Sequence, residues 1–504
     1  MSVTDGHVVH PTREQRVQNG LAARRVTPVE SLAELGKSSR DPIALLESQA
    51  QTRVPQLVPV RYGRMATSAF AFYRGAALVM ADDLSRTPNS GLHTQLCGDA
   101  HASNFGLFAT PERRTAFDVN DFDETYPGPF EWDVKRLVAS LEIAGRDNGF
   151  TAKECRKITR ACAAEYRETM CRQAQLGNMA VRYAHLDPTA EMAELGEKLS
   201  GRMEKRTRKA LEKASRRDSL QALEKLTTVV DGRRRIISDP PLVVPVEEVF
   251  ADLDAEAIYD ELHNRVRSYR ATLQWDRRVL LEQFELVQAA RKVVGVGSVG
   301  TRAWILLLRG ADDDDPLFLQ AKEAQRSVLS YYVDGPTFRN EGERVVNGQR
   351  LMQSASDIFL GWQQGAGADG VNRDFYIRQL RDGKGSAVIE EMVPKGMKLY
   401  GRLCGRVLAY AHARAGDRIA LAAYLGTDEE FDEALSSFAV SYADRNERDL
   451  QALHEAVEQG RVKARTGLWS SSGSRTVPLS GTYSPVLSPG AVQGRRSRAD
   501  GRTS

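Results

Sequence analysis

The sequence is poor in cysteine and has no long hydrophobic run. Its 504 residues include five scattered cysteines without a C-x-x-C pair, a set that predicts neither a disulfide framework nor a zinc ribbon. No stretch approaches the roughly 18 consecutive apolar residues of a membrane-spanning helix. The opening segment, MSVTDGHVVHPTREQR, lacks the apolar core of a signal peptide. These absences predict a cytoplasmic protein with no membrane partner.

An excess of charge of either sign is also missing. The 70 Lys and Arg residues nearly balance the 67 Asp and Glu residues, for a net charge of +3, so no specific nucleic-acid partner is expected. One segment is strongly basic, GRMEKRTRKALEKASRRD from about Gly201. RNA binding is one interpretation of it, but its glutamates and its lack of aromatic residues favour a solvated helix face. The overall composition, 41% hydrophobic and 27% charged, predicts a folded chain of about two to four domains.

Hydrophobic periodicity separates strand-rich from helical segments. Strands are predicted within HTQLCGDAHASNFGLF and RTAFDVNDFDET, and again from about Arg291 through KVVGVGSVGTRAWILLLRG, LFLQAKEAQ and DFYIRQL. Helices are predicted over 41–53, over Ser68–Leu84 with Ser68 as the cap, from Trp132 to about Met179, over 342–354, and in KLYGRLCGRVLAYAHARAG and EEFDEALSSFAVSYADRNERDLQALHEAVEQG. The chain is therefore expected to mix helices and sheets.

Polar residues are densest in the first strand-rich block. Asp118, Asp121 and Asp123 would repel one another unless a cation held them, and Mg²⁺ prefers one or two carboxylates completed by substrate phosphates. Asp99 and Asn104 have the D-x-x-x-x-N spacing of phosphoryl-transfer catalytic loops. The alternative is that these carboxylates only cap turns and helices, but burying several of them without partners would be costly.

The run from CGDAHASNFG through FDVNDFDET to EWD resembles the aminoglycoside-phosphotransferase and choline-kinase-like branch of the protein-kinase superfamily. In that branch H-G-D-x-x-x-x-N is followed by an Asp-led metal motif and then by an Asp that supports the catalytic loop. The resemblance implies Asp99 as catalytic base, Asn104 and Asp121 as Mg²⁺ ligands, and Asp133 as structural support. Cys97 stands where that pattern usually has His, at a position that is largely scaffold.

Three glycines, Gly295, Gly297 and Gly300, lie between two β-rich runs in GVGSVGTRAWILLLRG. No helix follows them, which argues against a dinucleotide-binding unit. The hairpin instead resembles the phosphate-covering loop of kinases, in which free backbone N–H groups approach phosphates. The hydroxyls of Ser298 and Thr301 would add donors. A plain tight hairpin is the alternative.

A lysine and an acidic residue follow the glycines in kinase-like order. Lys322 lies in the next strand, LFLQAKEA, at a place that fits the lysine holding the α- and β-phosphates of ATP. The helix GERVVNGQRLMQ then offers Glu343, or less favourably Glu341, as its ion-pair partner. The acidic run Asp312–Asp315 between the strands is predicted to be a solvated hairpin turn.

The order of these motifs departs from that of a kinase, because the catalytic-loop and metal elements precede the glycine loop. Fewer than 100 residues precede Asp99, mostly helical or irregular, and they make a poor five-stranded lobe. We therefore expect an α+β, two-lobed, protein-kinase-like fold that is circularly permuted, with added helices. The expected parts are an N-terminal extension (1–55), a C-lobe-like catalytic core with a helical insert (56–290), an N-lobe-like nucleotide-binding sheet (291–385), C-lobe-like helices (386–464) and a disordered tail (465–504).

Over residues 40–460 the chain also resembles a bacterial family of uncharacterised proteins, domain of unknown function 2252. The likeness is carried by LVPVRYGRMATSAFAFYRGAA, CGDAHASNFG, FDVNDFDETYPGPFEWDVKRL, VVGVGSVGTR and LQAKEA. The family name implies no reaction. The predicted function, an ATP- and Mg²⁺-dependent phosphotransferase on an unknown small-molecule hydroxyl, rests on the residue patterns.

Three other functions remain open: transfer of AMP, a nucleotide-binding regulatory module without turnover, and a metal-dependent hydrolase. In the hydrolase, His101 would hold the metal with the neighbouring aspartates, whereas in the kinase-like pattern it supports the loop. Arg64 and Arg74 lie in semi-apolar surroundings, where each could pair with a carboxylate or receive a substrate phosphate. Asp118 and Asp123 remain further candidates for the site.

Overall fold

The computed structural model describes residues 3–4, 7–8, 10–37, 39–188, 219–230, 233–293, 295–367, 370–380 and 385–465. The basic helix predicted near Gly201 lies outside these residues, as does all of the predicted disordered tail except Arg465. The described residues fall in one compact unit. None of the described helices has both the length and the apolar character needed to cross a bilayer.

The α-helices of the described residues are α1 (Arg13–Val26), α2 (Pro42–Ala50), α3 (Val58–Met65), α4 (Ala69–Gly75), α5 (Ala77–Leu84), α6 (Glu131–Asp147), α7 (Ala152–Ala174), α8 (Asn178–Tyr183), α9 (Ser219–Leu226), α10 (Val246–Val249), α11 (Ala255–Ala271), α12 (Trp275–Leu281), α13 (Glu341–Met352), α14 (Pro394–Ala415), α15 (Arg418–Leu425) and α16 (Glu430–Glu458). The strands are β1 (Val3–Thr4), β2 (His7–Val8), β3 (His93–Leu96), β4 (Phe105–Ala109), β5 (Thr115–Val119), β6 (Tyr126–Pro129), β7 (Thr227–Val230), β8 (Arg233–Ile236), β9 (Val243–Pro245), β10 (Glu285–Lys292), β11 (Ala303–Arg309), β12 (Pro316–Ala324), β13 (Gly361–Ala366), β14 (Asn372–Gln379) and β15 (Gly385–Ser386). The expected α+β class is confirmed.

The largest sheet has six antiparallel strands in the order β13-β14-β12-β11-β10-β9. Lys322 on β12 lies opposite Ala303 on β11 and Tyr376 on β14. Helix α13 comes between β12 and β13 in the chain, and it packs on this sheet. Smaller sheets join β15, β4 and β5, and pair β3 with β6.

Alternation along the strands gives the large sheet two apolar faces. Leu306 and Leu308 pack with Tyr269 of α11 on one face. Ile305 and Leu307 pack with the helix α9 on the other. The sheet is therefore covered by helices on both sides.

The helical part of the protein is built around α6, α7, α14 and α16, which share the largest apolar core. Phe130, Tyr166 and Phe431 stack there, with the first two ring centroids 6.2 Å apart. This core lies directly beneath β3 to β6, the strands that carry the acidic motifs.

One helix prediction needs correction. Ser68 does cap a helix, since its hydroxyl accepts the N–H of Ala71, but the expected continuous helix Ser68–Leu84 is two helices, α4 and α5. They meet at Ala76, whose φ of −112° and ψ of 35° interrupt the helical path. Gly75 packs so closely on Met65 that a Cβ would lie 2.6 Å from its sulfur, so tertiary packing sets the break.

Candidate functional site

A cavity of about 1220 Å³ joins the two strand-rich parts of the chain. The residues singled out from sequence that line it are Arg74, Asp99, His101, Asn104, Asp121, Asp123, Gly295, Gly297, Ser298, Thr301 and Glu341. Arg64, Asp118, Asp133, Gly300, Lys322 and Glu343 are not part of this lining. Most of the predicted site residues thus line one cavity, although the two segments that carry them are far apart in sequence.

Asp133 holds the backbone of the loop that carries Asp99. Its carboxylate accepts the backbone N–H of Cys97 at 2.8 Å and that of Gly98 at 3.0 Å. Gly98 has a φ of +83°, and a Cβ there would lie 2.1 Å from the Glu124 carbonyl oxygen, so this turn requires glycine. Asp133 also contacts His412 Nε2 at 3.2 Å. The supporting role predicted for Asp133 agrees with this geometry.

Asp99 has one bound oxygen and one available oxygen. Arg136 donates to Oδ1, with Nε at 2.7 Å and Nη2 at 2.6 Å. No described group donates a hydrogen bond to Oδ2, from which the His101 Nε2 is 3.7 Å away. Burial raises the pKa of Asp99, while Arg136 opposes the rise. Asn104 closes the loop by donating its Nδ2 to the Asp99 carbonyl at 2.7 Å.

Asp121 and Asp123 face Lys322. The Lys322 Nζ lies 3.5 Å from Asp121 Oδ2 and donates to Asp123, whose other oxygen accepts the Tyr376 hydroxyl at 2.6 Å. Burial alone would lower the pKa of Lys322, but the two carboxylates outweigh it and raise the pKa. Burial also disfavours the Asp121 carboxylate, yet Lys322 and Arg378 lower its pKa overall. Burial and the charge of Asp121 raise the pKa of Asp123. Asp121 is therefore the more persistent anion of the two.

The expected ion pair between Lys322 and Glu343 is not found among the described residues. Asn340 caps α13 and accepts the Glu343 N–H at 3.0 Å, and Glu343 does not line the cavity. Glu341, the second choice, does line it but pairs with Arg344. Asp121 and Asp123 lie beside Lys322, where the sequence predicted an acidic residue of α13.

Asp118 makes its contacts outside the cavity lining. It is buried on β5, where it accepts the Ser354 N–H at 3.3 Å and lies 4.0 Å from Arg414. Burial raises its pKa, with Arg414 opposing. Asp118 lies within the strand and is not part of the cavity lining, whereas Asp121 and Asp123 reach the cavity from the following loop.

The glycine-rich connection between β10 and β11 is held through its carbonyl groups. Arg53 donates Nη1 to the carbonyls of Gly297, at 2.8 Å, and Val299. Arg64 donates to the carbonyl of Gly295. A Cβ on Gly297 would lie 2.9 Å from the Arg74 carbonyl oxygen, so the loop approaches the helical segment closely there.

The N–H groups of the same loop are available. No acceptor among the described residues receives the backbone N–H of Gly297 or Ser298, and both residues line the cavity. The Ser298 carbonyl is satisfied by the N–H and the hydroxyl of Thr301, at 3.2 and 2.8 Å. Adjacent free N–H groups on a cavity wall form an anion-binding surface.

Sequence reasoning missed Arg136, Tyr376 and Glu124. Arg136 follows Asp133 by three residues on α6, a spacing that puts both on one helix face beneath the Asp99 loop, and this signal was available. Glu124 lines the cavity and accepts the Val328 N–H at 2.7 Å. Burial raises its pKa to about 7. Nothing in the local sequence distinguishes it from a surface glutamate.

The donor set restricts the kind of metal the site suits. Within the described residues no group of three or more His, Cys, Asp or Glu side chains is arranged to hold a metal ion. Asp121 and Asn104 both reach the cavity, and hard oxygen donors in this number suit Mg²⁺ completed by phosphate oxygens.

Comparison with known proteins gives a family and no function. No curated protein and no solved structure matched the chain. A family model described as "Uncharacterized protein conserved in bacteria (DUF2252)" matches residues 53–456. This range contains every cavity residue named above. The chain belongs to this bacterial family, domain of unknown function 2252.

Proposed function

We propose that the protein is an ATP- and Mg²⁺-dependent phosphotransferase with a circularly permuted, two-lobed, protein-kinase-like fold, acting on the hydroxyl of a small molecule. One observation carries the proposal. The cavity wall combines Asp99, Asn104 and Asp121 with the free N–H groups of Gly297 and Ser298. A base, oxygen ligands for a cation and an anion-binding loop are the parts that phosphoryl transfer needs together.

The order of elements in the large sheet supports this architecture. The glycine loop joins its first two long strands, β10 and β11, and Lys322 lies on the third, β12. Helix α13 and the strands β13 and β14 then follow. This is the order expected of the nucleotide-binding lobe, displaced to follow the catalytic loop and not to precede it.

The residues of the cavity have distinct roles in this proposal. Asp99 uses its available Oδ2 to orient and deprotonate the acceptor hydroxyl, while Arg136 fixes the other oxygen. Asp121 and Asn104 provide oxygen ligands, and a bound Mg²⁺ would neutralise phosphate charge. Lys322, kept cationic by Asp121 and Asp123, contributes positive charge beneath them.

A metal-dependent hydrolase is less well supported. It would draw on Asp118 as a ligand, and Asp118 is bound to Ser354 away from the cavity. His101 lines the cavity with an Nδ1 that has no described partner, but the charges of Arg74 and Arg136, which together with burial lower its pKa, would also repel a metal cation at that nitrogen. A neutral ring packed beside two arginines fits the supporting role better.

The test is a thermal-shift titration with ATP and MgCl₂, followed by transfer assays with α- and γ-labelled ATP. Ligand at about 100 times its Kd should stabilise the wild type by about 2.7 kcal/mol. Asp121→Asn should lose the Mg²⁺-dependent part, Asp99→Asn should bind but not transfer, and exposed Asp312→Asn is the control. Label from the α-position in the product would establish AMP transfer. No shift with millimolar ATP would refute the proposal.

A further inference from the structure

Three arginines on the cavity wall have guanidinium nitrogens without partners. Arg61 is fully buried, and its Nε and Nη1 have no hydrogen-bond acceptor among the described residues. The Nε atoms of Arg53 and Arg74 are likewise buried and unpartnered. Within the described chain no carboxylate oxygen lies within 4.0 Å of any of the three guanidinium groups.

The three side chains belong to one part of the cavity. Arg53 donates to the carbonyls of Gly297 and Val299 in the glycine loop. Arg61 donates Nη2 to the carbonyl of Gly75 at 2.8 Å, next to Arg74. The region they share thus lies against the glycine loop.

Arg74 extends this region towards Asp99. Both side chains line the cavity, and the carboxylates of Glu390 and Asp99 partly offset the lowering of the Arg74 pKa by burial. The Arg74 guanidinium packs over the Phe70 ring at 5.9 Å, which supports its plane without satisfying its N–H groups. A ligand group held by Arg74 would therefore lie beside the residue assigned to the acceptor hydroxyl.

Leaving these groups unpaired is costly. A buried N–H without an acceptor costs about 1–3 kcal/mol, and more when it carries charge. Burial lowers the pKa of all three arginines, which expresses the same penalty on the cationic form. Arginine does not release its proton in proteins, and a bound anion would both accept these N–H groups and neutralise the charge of the cluster.

We propose that Arg53, Arg61 and Arg74 form a phosphate-binding subsite for the acceptor, which is therefore a phosphorylated hydroxyl compound. Three guanidinium groups that form no salt bridge with a described carboxylate match a phosphate dianion better than a single carboxylate. In the proposed function the nucleotide would have its own donors in the N–H groups of Gly297 and Ser298. A polycationic acceptor would be repelled by the same arginines. The word acceptor rests on the proposed function, whereas phosphate binding does not.

The experiment is calorimetric titration of the full chain with inorganic phosphate, with and without saturating ATP and Mg²⁺. The variants are Arg74→Met and Arg61→Met, and Arg448→Met is the control, because Arg448 is exposed and donates only to a backbone carbonyl of its own helix. We expect phosphate to bind in the absence of ATP and each cavity variant to weaken it by about tenfold or more. The control should bind like the wild type.

The two titrations separate the possible results. Phosphate that binds together with ATP, and ATP affinity unchanged in Arg74→Met, support an acceptor subsite. Competition between phosphate and ATP would overturn it in favour of a nucleotide site. Equal phosphate affinity in wild type and both cavity variants would overturn the subsite altogether. If the cavity variants lose phosphate binding and the wild type does not bind ATP, the subsite is supported and the phosphotransferase is refuted.

Discussion

Replacing Lys322 by methionine tests whether the centre of the site is held together by charge. Lys322 is buried and contacts Asp121 and Asp123, whose side chains are 30% and 28% exposed. Removing one partner of a buried ion pair costs about 3–5 kcal/mol. Because both carboxylates are partly reached by water, we expect the lower end, a loss of about 3 kcal/mol in the free energy of unfolding. Urea denaturation monitored by circular dichroism measures it.

The electrostatic origin of that loss can be checked separately. The pKa of Asp123 is already raised in the wild type, so lowering the pH should protonate it and remove one unpaired charge from the variant. The difference in free energy of unfolding between Lys322→Met and the wild type should then become smaller. Mg²⁺ should stabilise the variant more than the wild type, since both carboxylates become available to it. Lys398→Met, an exposed control, should change stability by less than about 0.5 kcal/mol. The reasoning would be refuted if Lys322→Met lost less than about 1 kcal/mol in the free energy of unfolding, or if its difference from the wild type did not change with pH.

Three further predictions concern groups around the cavity and its supporting helices. The pKa of Glu124 rises from 4.5 to about 7 on folding, so the folded state binds more protons between these values. The contribution of Glu124 to stability should therefore fall as pH rises from 4.5 to 7, and in pH-dependent thermal melts Glu124→Gln should lose less stability than the wild type over this range. Asp133→Ala leaves the buried N–H groups of two loop residues unpaired and should cost about 3 kcal/mol in urea; a loss under about 1 kcal/mol would contradict its supporting role. Glu165 binds Arg402 and Arg406. Burial opposes its charge, but these arginines lower its pKa, so the ionised Glu165 stabilises the fold above pH 4.5. Glu165→Gln should therefore lose about 2 kcal/mol in the free energy of unfolding at pH 7 and less in acid.

Local patterns predicted the elements of the fold better than their interruptions. The helix expected in EEFDEALSSFAVSY and the strand expected in DFYIRQL are present as α16 and β14. The break at Ala76 was missed because it depends on the contact of Gly75 with Met65. Periodicity reports which face of an element is buried, but not what it packs against.

The candidate site shows the same limit at the level of side chains. Spacing and the resemblance to kinase-like enzymes together singled out Asp99, Asn104 and Asp121, and all three line the cavity. The partner of Lys322 was predicted in the wrong segment: Asp123 lies 199 positions away in sequence, and α13 offered a nearer acid. A choice between acids of equal charge depends on distances that only the folded chain defines.

The glycine loop adopts its orientation because the arginines of the first helical segments take its carbonyl groups. Arg53 and Arg64 bind the carbonyls of Gly295, Gly297 and Val299, which leaves the N–H groups on the cavity side without described acceptors. The same Arg53 keeps an unpartnered Nε. An anion bound to that nitrogen, as we propose, would therefore also fix the side chain that holds the glycine loop. Arg53 and Pro55, at the end of the predicted N-terminal extension (1–55), therefore line the same cavity as the residues of the strand-rich segments.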